Sequence, residues 1–348
     1  MVSIGFVLGE ITSNPFLAIA LVLVLGIILV NGATDAANAI AVPVGTRAIK
    51  VDGAIAMAVV CNFVGLIGMT MISTAVADTL SGMVDFGGDS HAALVALAAA
   101  AVAIVVWASA AWVFGIPTSE SHALIAGLTG AAFALQGNFD AVNLGQWVKV
   151  IYGLVLSTIG GFVLGWGISK VIEVVCRNQD RRHVNRFFRK MQVAAAAGAA
   201  CMHGAQDGQK FMSMTMMAVA LSAGLSASDL NFPLWLEVLC AGAISLGTAV
   251  GGKRIIKKVG VEMVDLEQYQ GFAAALSATV SLLAATLTGL PVSTTHTSSA
   301  AMMGAGASKD PREVDWSVAK ELVYTWVCTF PGCGLLGFAM AKLFLFLF

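Results

Sequence analysis

The chain has 348 residues, 58% hydrophobic and 11% charged, with a formal net charge of -1 and a mean hydropathy of +0.86. So little charge does not cover a soluble domain of this length, and the near-neutral balance points away from a nucleic-acid partner. No GxxxxGK[ST] phosphate loop occurs, which argues against an ATP-driven pump.

Apolar runs of membrane-spanning length recur along the chain. In order they cover about 14–48 (interrupted at Gly32–Asp35), 52–78, 91–115, 117–136 and 146–175. A second set covers 191–222 (interrupted at Gly204–Asp207), 231–252, 268–290, 291–308 and 316–346. The expected fold is an all-α polytopic membrane protein, multi-pass in the cell (plasma or inner) membrane and in contact with lipid. No cleavable signal is read at its start. The six cysteines form no CxxC pair and read as small core residues.

Basic residues set the orientation. Arg177, Arg181, Arg182, Arg186, Arg189 and Lys190 cluster in one segment, and Lys253, Arg254, Lys257 and Lys258 in another. Both segments are expected on the cytoplasmic side, with Arg47 and Lys50. The stretches around Asp78, Asp85 and Asp89 and around Asp229 lack Lys and Arg and are expected outside. Ten full crossings satisfy these assignments; 117–136 and 291–308 could instead be re-entrant halves.

The halves repeat. GATD at 32–35 echoes GAQD at 204–207, and GIPTSESH at 115–122 echoes GLPVSTTH at 289–296. Asp35 and Pro117 are 82 positions apart, Asp207 and Pro291 84. This spacing predicts two inverted-topology repeats of about five segments each, 1–176 and 191–348, joined by a basic linker at 177–190. Discontinuous helices and half-helix hairpins are expected at the midplane, with the site at the repeat interface.

A charged group at the bilayer centre costs about 2.5–3.5 kcal/mol on insertion scales, so the repeated aspartates read as functional. Gly32 and Gly204 are expected to let the backbone unwind, leaving carbonyls to line a cavity. Asp35, Thr34, Asn38, Asp207 and Gln206 supply hard oxygens for Na⁺ or a proton, with Na⁺ candidates at both aspartates. Pro117 and Pro291 are expected in the first turns of half-helices. Thr118, Ser119, Ser121, Ser293, Thr294 and Thr295 would then add hydroxyl donors to two positive helix ends. Facing each other, the two ends would clamp a tetrahedral oxyanion; ordinary capping is the alternative for these hydroxyls. His122 and His296 are symmetric and would hold the hairpins by hydrogen bonding, or titrate. Glu120 is matched by Thr294 and falls outside the symmetric set. Gly161 and Gly165 form a GxxxG, read as close helix packing.

These four motifs, with the stretch 270–296, resemble the PiT family of inorganic phosphate transporters, which carries a GAND-type and a P-x-S-x-x-H-type motif in each half. The likeness runs over nearly the whole chain. It implies a secondary active transporter, not an enzyme, that imports inorganic phosphate by symport with H⁺ or Na⁺, without a cofactor. Both motif pairs would serve phosphate and cation, so Asp35 and Asp207 are candidates for either.

Two departures stand out. Thr34 and Gln206 replace the family's asparagine, and Lys210 stands opposite Asn38. Bacterial proton-coupled members are similar in having Gln-Lys there. Lys210, three positions from Asp207, is expected to pair with it and weaken one cation site. Sulfate is an alternative substrate, and a pure channel another reading. A remote alternative is an intramembrane aspartyl protease, which would share one proton between Asp35 and Asp207. A homodimer through small residues near Gly160–Gly167 is a further candidate.

Overall fold

The computed structural model describes the backbone of residues 2–114, 118–225, 231–262 and 265–348, and within these the side chains except at 36, 37, 112, 114, 252–262, 313, 318, 321 and 322. Thirteen α-helices are assigned: α1 Ile4–Ser13, α2 Pro15–Thr34, α3 Ala36–Gly45, α4 Val51–Thr70, α5 Ala75–Ser81, α6 Ser90–Phe114, α7 Glu120–Gln136, α8 Leu144–Cys176, α9 Arg181–Ala223, α10 Leu234–Glu262, α11 Gln268–Leu287, α12 Thr294–Ala307 and α13 Trp316–Leu347. Among the described residues, seven segments are long and apolar enough to cross a membrane. This is an all-α, multi-pass membrane protein.

Four expected spans differ. The run to 78 stops at Thr70, and α5 is a separate short helix. α9 is too polar in its middle to read as an apolar span. It can be, because every side chain from His203 to Ala220 is buried in protein rather than lipid. α7 has 17 residues and α12 has 14, rises of about 26 and 21 Å, short of a hydrocarbon core of about 30 Å.

Two ends are defined by loop contacts. At the first, Gln136 Nε2 donates to Asp85 O (2.7 Å), Asn143 N to Met83 O (2.9 Å), and Phe16 packs on His91 and Phe348. At the second, Gln268 Nε2 donates to Thr46 O (2.6 Å), Thr46 Oγ1 to Gln192 (3.1 Å), and Arg181 and Lys309 both bind Glu267. The basic stretch 177–190 lies at the second end and the Asp85 and Asp89 stretch at the first, as their charge predicts. Little of it is a linker: a turn follows Cys176, and α9 starts at Arg181. The Asp229 stretch and the side chains of Lys253, Arg254, Lys257 and Lys258 lie outside the described residues; the backbone there continues α10 to Glu262.

The α6–α7 pair leaves and regains the first end; α11–α12 leaves and regains the second. Helices α7 and α12 both begin in the interior, where the rings of His122 and His296 meet at a centroid distance of 4.5 Å. Neither short helix crosses, so full passage of 117–136 and 291–308 does not occur.

Close contacts come in exchanged pairs. A Cβ on Gly204 of α9 would strike the Asn62 carbonyl of α4, and one on Gly32 of α2 the Ile244 carbonyl of α10. Gly65 of α4 abuts Cys201 of α9, as Gly247 of α10 abuts Leu29 of α2. Gly165 of α8 abuts Ala301 of α12, as Gly337 of α13 abuts Gly127 of α7. Such approaches bring backbones together where no hydrophobic gradient separates helix from lipid. Gly161 is packed against Thr297 likewise, so the GxxxG face of α8 is occupied within the chain.

The two glycine motifs therefore do not unwind the backbone. α9 is continuous through Gly204–Asp207. The first half breaks only at Asp35, which keeps helical dihedrals (φ -85°, ψ -31°) and is followed by a tightened turn, Asn38 N to Asp35 O at 3.0 Å. The expected array of freed carbonyls is absent among the described residues. Gly32 and Gly204 are small because a neighbouring helix leaves no room for a methyl group.

Candidate functional site

The interior where α7 and α12 begin holds four charged side chains: Asp35, Glu120, Asp207 and Lys210, each at most 7% exposed. Asp35 arrives at the α2–α3 junction, Asp207 and Lys210 one turn apart on α9, and Glu120 as the first residue of α7.

Lys210 Nζ uses its three donors on Ser121 Oγ (2.7 Å), Asp207 Oδ1 (2.8 Å) and Val292 O (2.5 Å). It thus ties α9 to the starts of both short helices, and the expected pairing with Asp207 is present. Asp207 Oδ2 accepts from Asn31 Nδ2 (3.1 Å) and Thr294 Oγ1 (3.2 Å). His203 Nε2 stands 3.3 Å from the same oxygen without the alignment of a hydrogen bond, while His203 Nδ1 meets Asn62 Oδ1 at 3.0 Å. Asn31 Nδ2 also approaches Asp35 Oδ2 at 3.4 Å. An asparagine therefore lies between the two aspartates, within reach of both carboxylates.

The first-half partners mirror part of this. Asn38 Nδ2 donates to Thr295 Oγ1 at 2.9 Å, the counterpart of Lys210 on Ser121. Thr34 Oγ1 meets Glu120 Oε1 at 2.5 Å. Gln206 turns away, donating to Thr286 Oγ1 (3.0 Å) and Leu290 O (3.2 Å). Its amide nitrogen braces the second hairpin, while its oxygen Oε1 is buried without a hydrogen-bond partner.

The six hydroxyl residues divide. Ser121, Thr294 and Thr295 enter the cluster. Ser119 and Ser293 are N-caps, accepting from His122 N and His296 N, each at 3.3 Å; the capping alternative holds for these two. Thr118 Oγ1 faces outward to Trp107 Nε1 (3.2 Å) and Thr329 Oγ1 (3.0 Å). Because Ser293 is the cap, Pro291 stands before the helix and not in its first turn. It lies in the non-helical entry two residues ahead of the Ser293 cap. Pro117 lies outside the described residues. In each short helix the first two amides, Glu120 and Ser121 or Thr294 and Thr295, have no partner inside the helix, and the positive dipole ends face the cluster.

His122 and His296 hold the hairpins by ring contact. His296 stacks on Trp326 (3.6 Å between centroids) and His122 on Phe330 (4.4 Å), while His122 Nδ1 and both ring nitrogens of His296 lack hydrogen-bond partners. Sequence reasoning missed Asn31, Asn62, His203 and Glu120. For His203 a signal existed, since it stands opposite Asn31 when the halves are aligned on their aspartates. Glu120 has Thr294 as its counterpart, so the repeat does not point to it, although it reaches the same cluster through Thr34.

The family model described as "Phosphate transporter family" matches residues 31–337. The chain is 38% identical over 308 residues to a probable low-affinity inorganic phosphate transporter of Bacillus subtilis, covering 88% of this chain and 91% of that one. It is 36% identical to one of Rhizobium meliloti, covering 88% and 90%. Among solved structures, one titled "The sodium-dependent phosphate transporter" superposes with a TM-score of 0.86 at 22% identity, covering 95% of this chain and 99% of that one. At that identity the likeness shows the shared fold.

Proposed function

Since the chain belongs to the phosphate transporter family, whose members are transporters rather than enzymes, we propose that it imports inorganic phosphate by symport with a cation, working as two inverted repeats, 1–176 and 191–348. The exchanged glycine contacts and the hairpins entering from opposite ends support the repeat organisation. One observation carries the reading: two half-helices start at mid-depth from opposite ends and aim their free amides at one buried charged cluster.

In this reading the amides and hydroxyls of Ser121, Thr294 and Thr295 hold the anion, and Lys210 adds a positive charge beside them. Asp35 and Asp207 lie close by. Phosphate near neutral pH keeps a proton and donates it to a carboxylate, whereas sulfate meets it acceptor to acceptor, a strong basis for rejection. Where Asn38 stands in the first half, Lys210 stands in the second, so its ammonium occupies space that a free cation would take. Coupling through H⁺ or a single Na⁺ follows.

Radiolabelled phosphate uptake into proteoliposomes, under an imposed Na⁺ or pH gradient, tests both parts. Saturable uptake driven by either gradient and insensitive to excess sulfate is expected. Potent competition by sulfate overturns the substrate, a strict need for two or more Na⁺ overturns the coupling, and gradient-independent, non-saturating flux makes the protein a channel.

A further inference from the structure

The turn between α8 and α9 carries more positive charge than its neighbours neutralise. Between residues 177 and 190 stand Arg177, Arg181, Arg182, Arg186, Arg189 and Lys190 against one acid, Asp180. The Asp180 carboxylate is the cap of α9 and accepts from Arg182 N at 3.1 Å. The two glutamates beside the turn are already paired. Glu267 holds Arg181 at 3.3 Å and Lys309 at 3.1 Å, and Glu173 holds Lys170 at 2.9 Å. Among the described residues, Arg177 makes no ion pair.

A cavity of about 210 Å³ opens at this turn, lined by Arg177 and Arg181, by Glu173 and Glu267, and by the apolar side chains of Ile172 and Val184. One water takes about 30 Å³, so the space admits a larger polar group. Its place along α8 is informative. The apolar span ends at Cys176, and Val171, Val174 and Val175 in its last two turns are exposed, where lipid chains run. Val174 and Arg177, three positions apart, share a helix face. A lipid-facing apolar flank thus leads into a basic pocket at headgroup depth. Membrane orientation needs Lys and Arg somewhere in the segment; it does not require two guanidinium groups around one cavity.

We propose that this pocket binds the phosphate of an anionic phospholipid headgroup, with Arg177 and Arg181 as its ligands and the acyl chains along Val171, Val174 and Val175. A guanidinium presents its planar fork to two phosphate oxygens at once, and basic pockets on the cytoplasmic side of membrane-spanning helices suit such headgroups. The Arg181 side chain is 79% exposed, so its pair with Glu267 is a weak surface pair that a phosphate can share, while Lys309 keeps Glu267 satisfied. The glutamates on the rim favour a diester with a single charge over a monoester, which carries about -1.5 to -2 near neutral pH. Glu267 also caps α11, so a lipid held here braces the entry of the second hairpin.

Thermal unfolding of the purified full chain tests this in detergent micelles doped with phosphatidylglycerol or with phosphatidylcholine of the same chains. Ionic strength is held constant, and inorganic phosphate is present throughout. Rising phosphatidylglycerol is expected to raise the wild-type Tm, since a ligand of the native state stabilises by mass action, and phosphatidylcholine to raise it less than half as much. Arg177→Gln combined with Arg181→Gln is expected to move the half-effect mole fraction at least fivefold higher. Arg182→Gln combined with Arg186→Gln removes the same charge outside the cavity lining and is expected to move it less than twofold. Equal shifts of the two double variants overturn the proposal, leaving a diffuse basic surface. So does equal stabilisation by the two lipids. Glycerophosphoglycerol, the same headgroup without acyl chains, is expected to have no effect at matched concentration; stabilisation by it that the Arg177→Gln, Arg181→Gln variant abolishes overturns the lipid assignment in favour of a soluble anion. If that double variant does not fold, Arg177→Gln alone decides by the same comparison with Arg186→Gln.

Discussion

Lys210 Nζ lies 2.8 Å from Asp207 Oδ1 with both side chains at most 1% exposed, and the same ammonium reaches Ser121 and the Val292 carbonyl. The pair is a neutral unit that fastens the central helix α9 to the starts of α7 and α12. Removing one member leaves the other buried and unpaired, an effect of about 3–5 kcal/mol. Lys210→Met is therefore expected to lower Tm sharply and reduce the yield of folded protein. Lys210→Met combined with Asp207→Asn is expected to recover much of that loss. Equal Tm values for wild type and the single variant would show the pair to be energetically idle.

The cluster also separates hydroxyls that look alike in the sequence. Ser121→Ala removes a group bonded to Lys210 beside the proposed anion position, and the KM for phosphate is expected to rise. Loss of a hydrogen bond to a charged group is worth about 1.5–3 kcal/mol, or roughly 10- to 150-fold. Thr118→Val deletes a hydroxyl facing Trp107 and Thr329, and KM is expected to stay within about twofold. Concentration-dependent uptake for the two variants checks the distinction; equal KM shifts would place Thr118 in the site.

Much of this arrangement was legible in the sequence because two motifs recur in the same order at nearly equal spacing. The repetition located Asp35, Asp207 and the hydroxyl clusters, and composition located the spans. Three features escaped it for physical reasons. Gly32 and Gly204 read as hinges, since a glycine's backbone freedom is visible locally while the carbonyl of Ile244 or Asn62 against it belongs to a distant helix. Pro291 read as a first-turn residue, because nothing local ranks it against the Ser293 cap that begins α12. Glu120 is invisible to the repeat because Thr294 stands opposite it, just as Lys210, the ammonium of the cluster, stands opposite Asn38.

The glycine packing has its own test. Gly204→Ala places a methyl group on the Asn62 carbonyl, a collision with backbone that a rotamer change does not relieve. Gly32→Ala does the same against Ile244. Overpacking of this kind costs about 1–3 kcal/mol, so both variants are expected to lose Tm together with uptake. Gly167→Ala on α8 meets no atom within 4 Å and gains helix propensity of about 1 kcal/mol, so it is expected to be neutral or slightly stabilising. Equal behaviour of Gly204→Ala and Gly167→Ala would remove the case for close helix approach at the aspartate motifs.

The placement of the two hairpins makes a prediction about sidedness. Gly88, between α5 and α6, lies at the first end, and Arg186, near the start of α9, at the second. With the basic segment inside, a cysteine introduced at Gly88 is expected to react from outside intact cells with a membrane-impermeant maleimide. One at Arg186 is expected to react only after permeabilisation. A cysteine at Lys309, beyond α12, should behave like Arg186, because α11–α12 returns to the second end, where Lys309 Nζ meets Glu267 at 3.1 Å. One at Asn138, beyond α7, should behave like Gly88. Labelling of Asn138→Cys and Lys309→Cys from the same side would mean that one hairpin crosses the membrane, and the opposed half-helix ends that frame the proposed anion site would be lost with it.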